Sequence, residues 1–405
     1  MTDVMQEVRI LEVAEHTFVP AASAVLAEWG AEVVKIEHHE RGDAMRGLGS
    51  TGVLDLGQGA HVLLEHSNRG KKSLGLDLAS EAGLDILYRL AGTCDVFLTN
   101  KLPSVRRKLR IDVDDIRAHN PDIIYVRGTG QGNEGPDADK GSYDSLAYWA
   151  RAGISAALTV PDSDAVCPPP GPAFGDSIGA MTIAGGIMGA LFHRERTGEA
   201  TTVDVSLLGV GLWSMGAGIA LSLQHRFPLR GRPPGPGVGN PLTHVYRTSD
   251  GRHISLTCLQ AARYWAETCE VVGRPDLAAD DRFSDAASIA ENAAAGVELL
   301  GEAFAQRTLD EWRTALAGFS GQWAAVQDTL EAAADPQALA NGYMQEYEDA
   351  EGHPYSLVSP PVHYDGVPPT PRRAPEFNEH GDEILLELGL EYEEILELKI
   401  ANVVT

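Results

Sequence analysis

Residues 8–36 read VRILEVAEHTFVPAASAVLAEWGAEVVKI, and this stretch decides the fold. The apolar run Val8–Val13 predicts a strand, Pro20–Trp29 predicts a helix that ends at Gly30, and Ala31–Ile36 predicts a second strand. A strand, a crossover helix and a strand of this length imply parallel pairing with a right-handed connection.

The same alternation continues along the chain. Helical patterns at Ser80–Leu90 and Ile111–Ala118 alternate with strand patterns at Asp95–Thr99 and Ile123–Val126. Together they predict an α/β fold, with an open, mostly parallel, Rossmann-like sheet and helices on its faces. Ligands bind such sheets outside the carboxyl ends of the strands, so we expect the functional site at that edge.

Beyond residue 160 the pattern becomes apolar and rich in glycine. Ser177–His193 and Val205–Leu223 each predict an apolar helix, and the second has nineteen residues without a charge. That length approaches a membrane span, but its glycines and serines favour a helix buried in a core or a subunit interface. Ser249–Gly251, between two short strand patterns, predicts a hairpin turn.

Composition excludes several classes of protein. The chain has 405 residues and a formal net charge of −26, so binding to nucleic acid or to an anionic membrane is unfavourable. Its four cysteines are far apart and form no CxxC pair, which indicates reduced thiols and no metal site. The acidic N-terminus lacks the basic region of a secretion signal, so we expect a cytoplasmic location.

A dinucleotide-type motif occurs at Gly130-Gln-Gly132-Asn-Glu-Gly135, after a predicted strand. A dinucleotide site needs a helix to begin there, so that the pyrophosphate meets free N–H groups. Pro136 and two aspartates follow instead, and the first turn, Glu15–Val19, contains no glycine. Nicotinamide or flavin binding is therefore disfavoured.

A second short motif, Gly175-Asp-Ser-Ile-Gly179, has the GxSxG form of the α/β-hydrolases. A serine hydrolase that uses Ser177 is one alternative, because histidines lie downstream; they are His193, His225, His244 and His380. The strand that should precede the serine is absent, since Cys167–Pro172 is mostly proline. This disfavours the hydrolase interpretation.

Asp176 lies between the two glycines of that motif. As an isolated residue it would be an N-cap for the following helix. Gly175, Gly179, Gly185, Gly186 and Gly189 leave that helix bare, which permits the close approach of a backbone or a ligand. A carboxylate at a helix N-terminus is expected to stay ionised and is then already a nucleophile.

Two basic groups interrupt the acidic chain. One contains Arg69, Lys71 and Lys72, and the other runs from Lys101 to Arg110. Either they are solvated surface, or they form a local anion site at the carboxyl edge of the sheet.

The chain resembles the class III coenzyme A-transferases and, more distantly, the α-methylacyl-CoA racemases. The resemblance covers nearly the whole sequence. The matching segments are Leu26–Glu37, Gly42-Asp43, Asn68–Ser73, Leu76–Leu78, Asp95-Val96, Asn100, Tyr143-Asp144, Gly175-Asp176, Val203–Ser206, Arg373–Pro375, Glu379-His380 and Leu385–Leu390.

This resemblance implies an activity and a nucleophile. Asp176 would attack an acyl-CoA thioester to give a mixed anhydride, and an aspartyl-CoA thioester would pass CoA to a free carboxylic acid. CoA and acyl-CoA would be substrates, with no tightly bound cofactor. Peptide N–H groups near Gly175 are candidate oxyanion donors, and Gly235–Gly239 is a candidate lid.

The resemblance also carries CoA contacts onto this sequence. The CoA-binding positions are Thr17, Phe18, His38, Leu76, Asn100, Lys101, Lys108, Tyr143 and Asp144. His38 replaces an arginine of formyl-CoA transferase, and Ala79 replaces a lysine. The candidate phosphate contacts that would compensate are Arg41, Lys71 and Lys72.

A racemase or isomerase is the other alternative. The racemases have a histidine where this chain has Tyr143, and a phenol is a poor base at neutral pH. His16 lies nearby in the sheet order and keeps this alternative open.

Family architecture implies an interlocked homodimer of two-domain subunits. Residues 1–225 and 346–405 would build a large α/β domain, with the last segment entering it through a linker. Residues 226–242 would be a further linker, and residues 243–345 would be a smaller α+β domain.

Overall fold

The computed structural model describes residues 3–51, 59–231 and 239–405. The chain divides into two compact units. The larger comprises Met1–Arg232 and Gln337–Thr405, and the smaller comprises Pro233–Pro336.

A six-stranded parallel sheet is the centre of the larger unit. Its strands are β1 (Arg9–Val13), β2 (Glu32–His38), β3 (Lys72–Leu76), β4 (Val96–Thr99), β5 (Ile124–Thr129) and β6 (Thr202–Ser206). Their order is β3-β2-β1-β4-β5-β6, and every neighbouring pair is parallel. The predicted α/β class and parallel sheet are confirmed.

Nine α-helices belong to the described N-terminal part of this unit. They are α1 (Phe18–Glu28), α2 (Val62–Asn68), α3 (Glu81–Ala91), α4 (Pro103–Leu109), α5 (Val113–Arg117), α6 (Ile154–Leu158), α7 (Phe174–Thr197), α8 (Leu207–Ser214) and α9 (Gly216–His225). A 3-10 helix spans Ala44–Thr51, and a π-helix spans Ser145–Arg151.

Two apolar clusters cover the faces of the sheet. One joins α1, α7 and α8 to the sheet, with Leu26 and Ile183 fully buried. The other joins α3 and α5 to the opposite face, with Leu87 and Ile116 fully buried. Both faces are therefore covered, as parallel sheets require.

The apolar stretch Val205–Leu223 is not the single helix that we predicted. Its first two residues belong to β6, where Val205 pairs with Gly128 of β5. The helical remainder breaks at Met215, and α8 and α9 meet at 65°. Among the described residues, α7 is long and apolar enough to cross a membrane, and this bent pair passes the same test as one span. Buried Ile183, Ala184 and Ile187 place α7 in the core described above.

The smaller unit contains a three-stranded antiparallel sheet and short helices. Its elements are β7 (Val245–Arg247), β8 (His253–Leu256), α10 (Ala261–Val271), 3-10 helices at Pro275–Ala279 and Asp281–Phe283, α11 (Ala286–Glu291), α12 (Ala293–Phe304), α13 (Leu309–Ala315), β9 (Trp323–Ala325) and α14 (Thr329–Ala333). The predicted hairpin joins β7 to β8, and Gly251 supplies its positive φ of 80°.

The C-terminal segment contributes five further elements. They are α15 (Pro336–Ala340), β10 (Met344–Glu348), β11 (Pro354–Val358), α16 (Gly381–Glu387) and α17 (Tyr392–Ile400). Ile384 and Ile395 are buried in the same cluster as α3, so both ends of the chain build the larger unit.

The predicted boundary of the small domain at residue 345 needs correction. The smaller unit ends at Pro336. The reason is that β10 pairs with β11 in an antiparallel hairpin, and this hairpin contacts α2 of the larger unit. The predicted extended linker therefore contains a hairpin.

Candidate active site

The strand order reverses next to β1, because β2 and β4 flank it on opposite sides. Ligand sites in open α/β sheets form at such a switch point. The turn after β1 is fastened to the end of β4. The N–H of Glu15 donates to Asn100 Oδ1 at 3.2 Å, and Asn100 Nδ2 donates to the Glu15 carbonyl at 2.7 Å. Lys101 Nζ lies 2.7 Å from Glu15 Oε2.

His16 follows in this turn with a backbone conformation that is rare outside glycine. Its φ is +68°, and its N–H donates to Asp43 Oδ1 at 3.0 Å. Asp43 is fully buried, and its Oδ2 lies 2.8 Å from Lys35 Nζ. A conformation of this kind persists only where the surrounding structure enforces it.

A buried charge network supports that contact. Lys35 pairs with Asp43 and with Glu12 Oε1 at 2.7 Å, and all three side chains are excluded from solvent. Burial alone would lower the pKa of Lys35, but the charges of Asp43 and Glu12 raise it above its usual range. Lys35 is therefore a permanent cation beneath the turn that holds His16.

Asp176 lies in the first turn of α7, two residues after Phe174. The residue before the helix, Ala173, has a φ of +57° and makes no side-chain cap. Asp176 is therefore not the N-cap that its position in the sequence indicated.

The glycines beside Asp176 allow protein side chains to approach. A Cβ on Gly175 would lie 2.6 Å from Tyr148 Cγ, and one on Gly179 would lie 2.4 Å from Phe18 Cε2. The helix face that we predicted to be open for a ligand is filled at these two positions by aromatic rings.

The Asp176 carboxylate is half-buried, and no donor among residues 3–51, 59–231 and 239–405 forms a hydrogen bond with it. Burial, together with the negative charge of Asp144, raises the pKa of Asp176 to about 7. Both effects work against the ionisation that a helix N-terminus favours. Asp144 Oδ2 accepts the Gly175 N–H at 3.0 Å, so that N–H is not free to bind an oxyanion.

A cleft of about 450 Å³, here called cleft A, opens over Asp176. It lies at the carboxyl edge of the sheet. The predicted site residues that line it are Phe18, Arg41, Asn100, Lys101, Tyr143 and Asp176, and His16 lines it as well. From the sequence, His16 was kept only for the racemase alternative, although its position soon after β1 was a signal for the site.

A second cleft of about 310 Å³, cleft B, adjoins cleft A. The predicted residues that line it are His38, Arg41, Leu76, Lys101 and Lys108. Glu15, Arg41, Lys101 and Val105 line both clefts, so the two form one continuous depression. Burial, with the charge of Arg41, lowers the pKa of His38.

Two predicted contacts lie beside the clefts without lining them. Thr17 is buried at the start of α1, and Asp144 is held by the Gly175 N–H.

The candidate phosphate contacts Lys71 and Lys72 need correction. Lys71 is fully buried, and its Nζ contacts Glu12 Oε2, the Pro20 carbonyl and Asn68 Oδ1. Lys72 begins β3 at the opposite edge of the sheet and pairs with Glu383 and Glu387. Neither side chain lines cleft A or cleft B.

Ser177 has a histidine neighbour, but not the one expected for a hydrolase. Its Oγ donates to the Ala173 carbonyl at 3.0 Å and lies 3.4 Å from His66 Nε2. The other ring nitrogen of His66 faces Arg69, and within the described part of the chain no carboxylate binds it. Burial, with the charge of Arg69, lowers the pKa of His66 to about 4. A cationic partner cannot stabilise the imidazolium that a catalytic triad forms.

Three other predictions concern ligands and loops. No helix begins at Gly130–Gly135, as the dinucleotide argument anticipated. Most of the predicted lid, Gly235–Gly239, lies outside the described residues. Across the described ranges, no group of three His, Cys, Asp or Glu residues is arranged to hold a metal ion.

The fold and this depression define an α/β protein with a half-buried carboxylate, Asp176, in a cleft at the carboxyl edge of its sheet. A family model described as CoA-transferase family III matches residues 5–381. The chain belongs to this family and is a CoA-transferase, as the resemblance predicted.

Several known proteins are similar over almost their entire length. The (R)-2-hydroxy-4-methylpentanoate CoA-transferase of Clostridioides difficile is 30% identical over 99% of both chains. The cinnamoyl-CoA:phenyllactate CoA-transferase of Clostridium sporogenes is 28% identical over 98% of this chain and 96% of its own. The crystal structure of a CAIB/BAIF family protein from Brucella suis aligns with a TM-score of 0.81 and 26% identity, over 96% of this chain and 100% of that one.

Proposed function

We propose that this CoA-transferase exchanges CoA between an acyl-CoA and a free carboxylic acid, with Asp176 as the nucleophile. The supporting observation is that Asp176 lines cleft A, and that no residue of the described chain donates a hydrogen bond to its carboxylate. A carboxylate without donors is poorly solvated, which makes it a better nucleophile once ionised.

The first half of the reaction converts the donor. An Asp176 oxygen attacks the thioester carbonyl, the C–S bond breaks, and a mixed anhydride and a CoA thiolate result. The thiolate then attacks the Asp176 carbonyl of that anhydride. This releases the donor acid and leaves CoA as a thioester on Asp176.

The second half runs the same steps with the acceptor. Its carboxylate attacks the aspartyl thioester, and the thiolate then attacks the acceptor carbonyl of the new anhydride, which frees Asp176. Every intermediate conserves the activation of the original thioester, so no nucleoside triphosphate is required. Water must be kept away, because it would hydrolyse the anhydride.

Cleft B is proposed to hold the nucleotide end of CoA. Arg41 and Lys108 would pair with phosphate groups, while Leu76 would pack against the adenine. The continuity of the two clefts supports this, since pantetheine must run from the nucleotide to the thioester beside Asp176. CoA would arrive and leave as a substrate, without a tightly bound cofactor.

The acid is proposed to include a hydroxyl group next to its carboxylate. Two relatives support this, because their names specify 2-hydroxy-4-methylpentanoate and phenyllactate, which are both 2-hydroxy acids.

We propose a homodimer in the cytoplasm. Helices α8 and α9 expose apolar side chains in an otherwise acidic protein, and Trp213 is 86% exposed. A patch of this kind marks a protein interface. All four cysteines are free, which supports a reducing compartment.

Light scattering tests the dimer and should give twice the 43.3 kDa chain mass. Trp213→Asp should weaken assembly more than Ile400→Asp, which changes an apolar residue of α17 that is also mostly exposed.

Mass spectrometry of the protein after reaction with an acyl-CoA tests the nucleophile. Asp176 should carry the acyl or CoA adduct, and hydroxylamine should convert it to a hydroxamate. Asp176→Asn should lose the adduct and CoA exchange while still binding CoA, whereas Ser177→Ala should keep both. An adduct on Ser177 would establish the hydrolase instead. Deuterium incorporation at the α-carbon without any acceptor acid would indicate the racemase.

A further inference from the structure

Cleft A contains four polar side chains that the described residues leave without hydrogen-bond partners. They are the Asp176 carboxylate, the Arg41 guanidinium, which is assigned above to a CoA phosphate, the His16 imidazole and the Tyr143 phenol. Polar groups left unpaired in a cleft represent unused binding energy, and a site that hydrogen-bonds a ligand is expected to discriminate strongly against an analogue that lacks the partner group.

His16 and Tyr143 form one surface. Their rings meet edge to face, with centroids 5.6 Å apart and planes at 85°. Tyr143 is 60% exposed and His16 is half-buried, so the pair has a packed side and an open side. This contact fixes the orientation of the imidazole relative to the cleft.

The backbone of His16 is fixed as firmly as its ring. Its φ of +68° is maintained through the N–H contact to Asp43, which the buried cation of Lys35 holds in turn. What distinguishes His16 from the other residues with positive φ is that it also lines cleft A, where its ring has no hydrogen-bond partner among the described residues, so this strained position points to contact with a ligand.

The chemistry of the pair selects the ligand group. An imidazole and a phenol can each donate or accept a hydrogen bond. Two cations line cleft A; Lys101 is already paired with Glu15, and Arg41 is proposed above to bind a CoA phosphate. A second carboxylate on the substrate would therefore lack a charge partner there, and an alkyl group would leave both polar groups unpaired. A hydroxyl group satisfies them.

We propose that His16, supported by Tyr143, binds the hydroxyl on the carbon next to the acyl carbonyl of a 2-hydroxyacyl substrate. This rests on the proposed function, which puts the acyl carbon beside Asp176. Asp43 is then a positioning residue, because it acts through the backbone of His16. A fixed imidazole on one side of the cleft also selects one enantiomer of the hydroxyl-bearing carbon.

Two matched pairs of thioesters test this: 2-hydroxyhexanoyl-CoA with hexanoyl-CoA, and 2-hydroxypropanoyl-CoA with propanoyl-CoA. The measurement is single-turnover CoA release, with the adduct on Asp176 checked by mass spectrometry. In the wild-type protein, one enantiomer of each 2-hydroxyacyl-CoA should release CoA about tenfold faster than the matched thioester without the hydroxyl, which is the effect of one good hydrogen bond.

Substitution of His16 should change this ratio specifically. His16→Gly removes the ring and accepts a positive φ, so the ratio should fall about tenfold and enantiomer selection should disappear. His16→Asn also tolerates this φ and keeps a hydrogen-bonding group, so it should retain part of the preference. Glu7→Gly is the control, because Glu7 is exposed and has the same φ of +68° outside the clefts; its ratio should equal that of the wild type.

Three results would overturn the inference while an adduct on Asp176 upheld the proposed function. They are a wild-type preference for the plain thioesters, an unchanged ratio in His16→Gly, and His16-dependent deuterium exchange at the α-carbon, which would make the imidazole a base. If neither pair gave an adduct on Asp176, the proposed nucleophile would fail as well.

Discussion

Asp144 and Asp176 lie side by side at the N-terminal end of α7, and Asp144 is the one whose carboxylate is tied to the Gly175 N–H. Two like charges in a desolvated place oppose each other. Burial and the charge of Asp144 together bring the pKa of Asp176 to about 7.

The first prediction is that the acylation rate of Asp176 rises with pH. The ionised form is the nucleophile, so single-turnover CoA release should increase about tenfold between pH 6 and pH 8, with an apparent pKa near 7. Asp144→Asn keeps an acceptor for the Gly175 N–H but removes the charge, so the apparent pKa should fall. Asp162→Asn, in an exposed loop, is the control. If the pH profile of Asp144→Asn equalled that of the wild type, the charge of Asp144 would not be what raises the pKa of Asp176.

The second prediction concerns the stability of the folded chain. The pKa of Asp176 is raised by folding, so its ionisation costs stability, and that cost grows as pH rises towards the folded-state value. Asp176→Asn removes the cost. Its advantage in free energy of unfolding should grow by about 1 kcal/mol between pH 5.5 and pH 8, after allowance for partial exposure. Urea unfolding at the two pH values measures this, and an advantage that shrank with pH would contradict the assigned shift.

The third prediction concerns Lys35, which balances Glu12 and Asp43 in the core. Lys35→Met leaves Asp43 without its buried cation and leaves Glu12 with Lys71 alone, which should cost about 3–5 kcal/mol of stability. Glu81→Gln removes an exposed ion pair with Arg110 and should cost less than about 1 kcal/mol. Denaturant unfolding followed by tryptophan fluorescence compares the two variants. Equal losses would show that the buried network adds no more stability than a surface pair.

The sequence was sufficient for β1, β2, β4 and β5, because each has its own local pattern of apolar residues, but not for β3 (Lys72–Leu76), which begins in a basic group and was not predicted. It was insufficient where an apolar run has two uses. Val205 and Ser206 could extend a helix as well as end a strand, and only pairing with β5 decides between them. The raised pKa of Asp176 could not be predicted either, since only the fold buries this carboxyl and brings it close to Asp144, 32 residues earlier in the sequence.

Lysines were the least predictable part of the site. Four lysines lie in or next to strands or short helices; they are Lys71, Lys72, Lys101 and Lys108. No local pattern distinguishes a lysine that lines a cleft from one that is buried in the core. The ammonium group of Lys71 is not available to a phosphate, because it forms a buried ion pair with Glu12 of β1. The tertiary structure is therefore needed to assign arginines and lysines to phosphate groups. The sequence alone is enough to predict which edge of the sheet holds the site.

The fourth prediction separates these cations by their effect on CoA affinity. Arg41 lines both clefts, and Lys108 lines cleft B, so Arg41→Gln and Lys108→Gln should each raise the dissociation constant for CoA about tenfold, the effect of one charge-assisted hydrogen bond. Lys72→Gln is the matched control and should leave the constant unchanged, because its ammonium is paired with Glu383 and Glu387 at the other edge of the sheet. Isothermal titration with CoA at two salt concentrations gives both the affinity and the charge dependence. The salt dependence should weaken in the Arg41 and Lys108 variants only, since each loses one phosphate contact. A loss of affinity in Lys72→Gln that matched theirs would move the phosphate site away from cleft B.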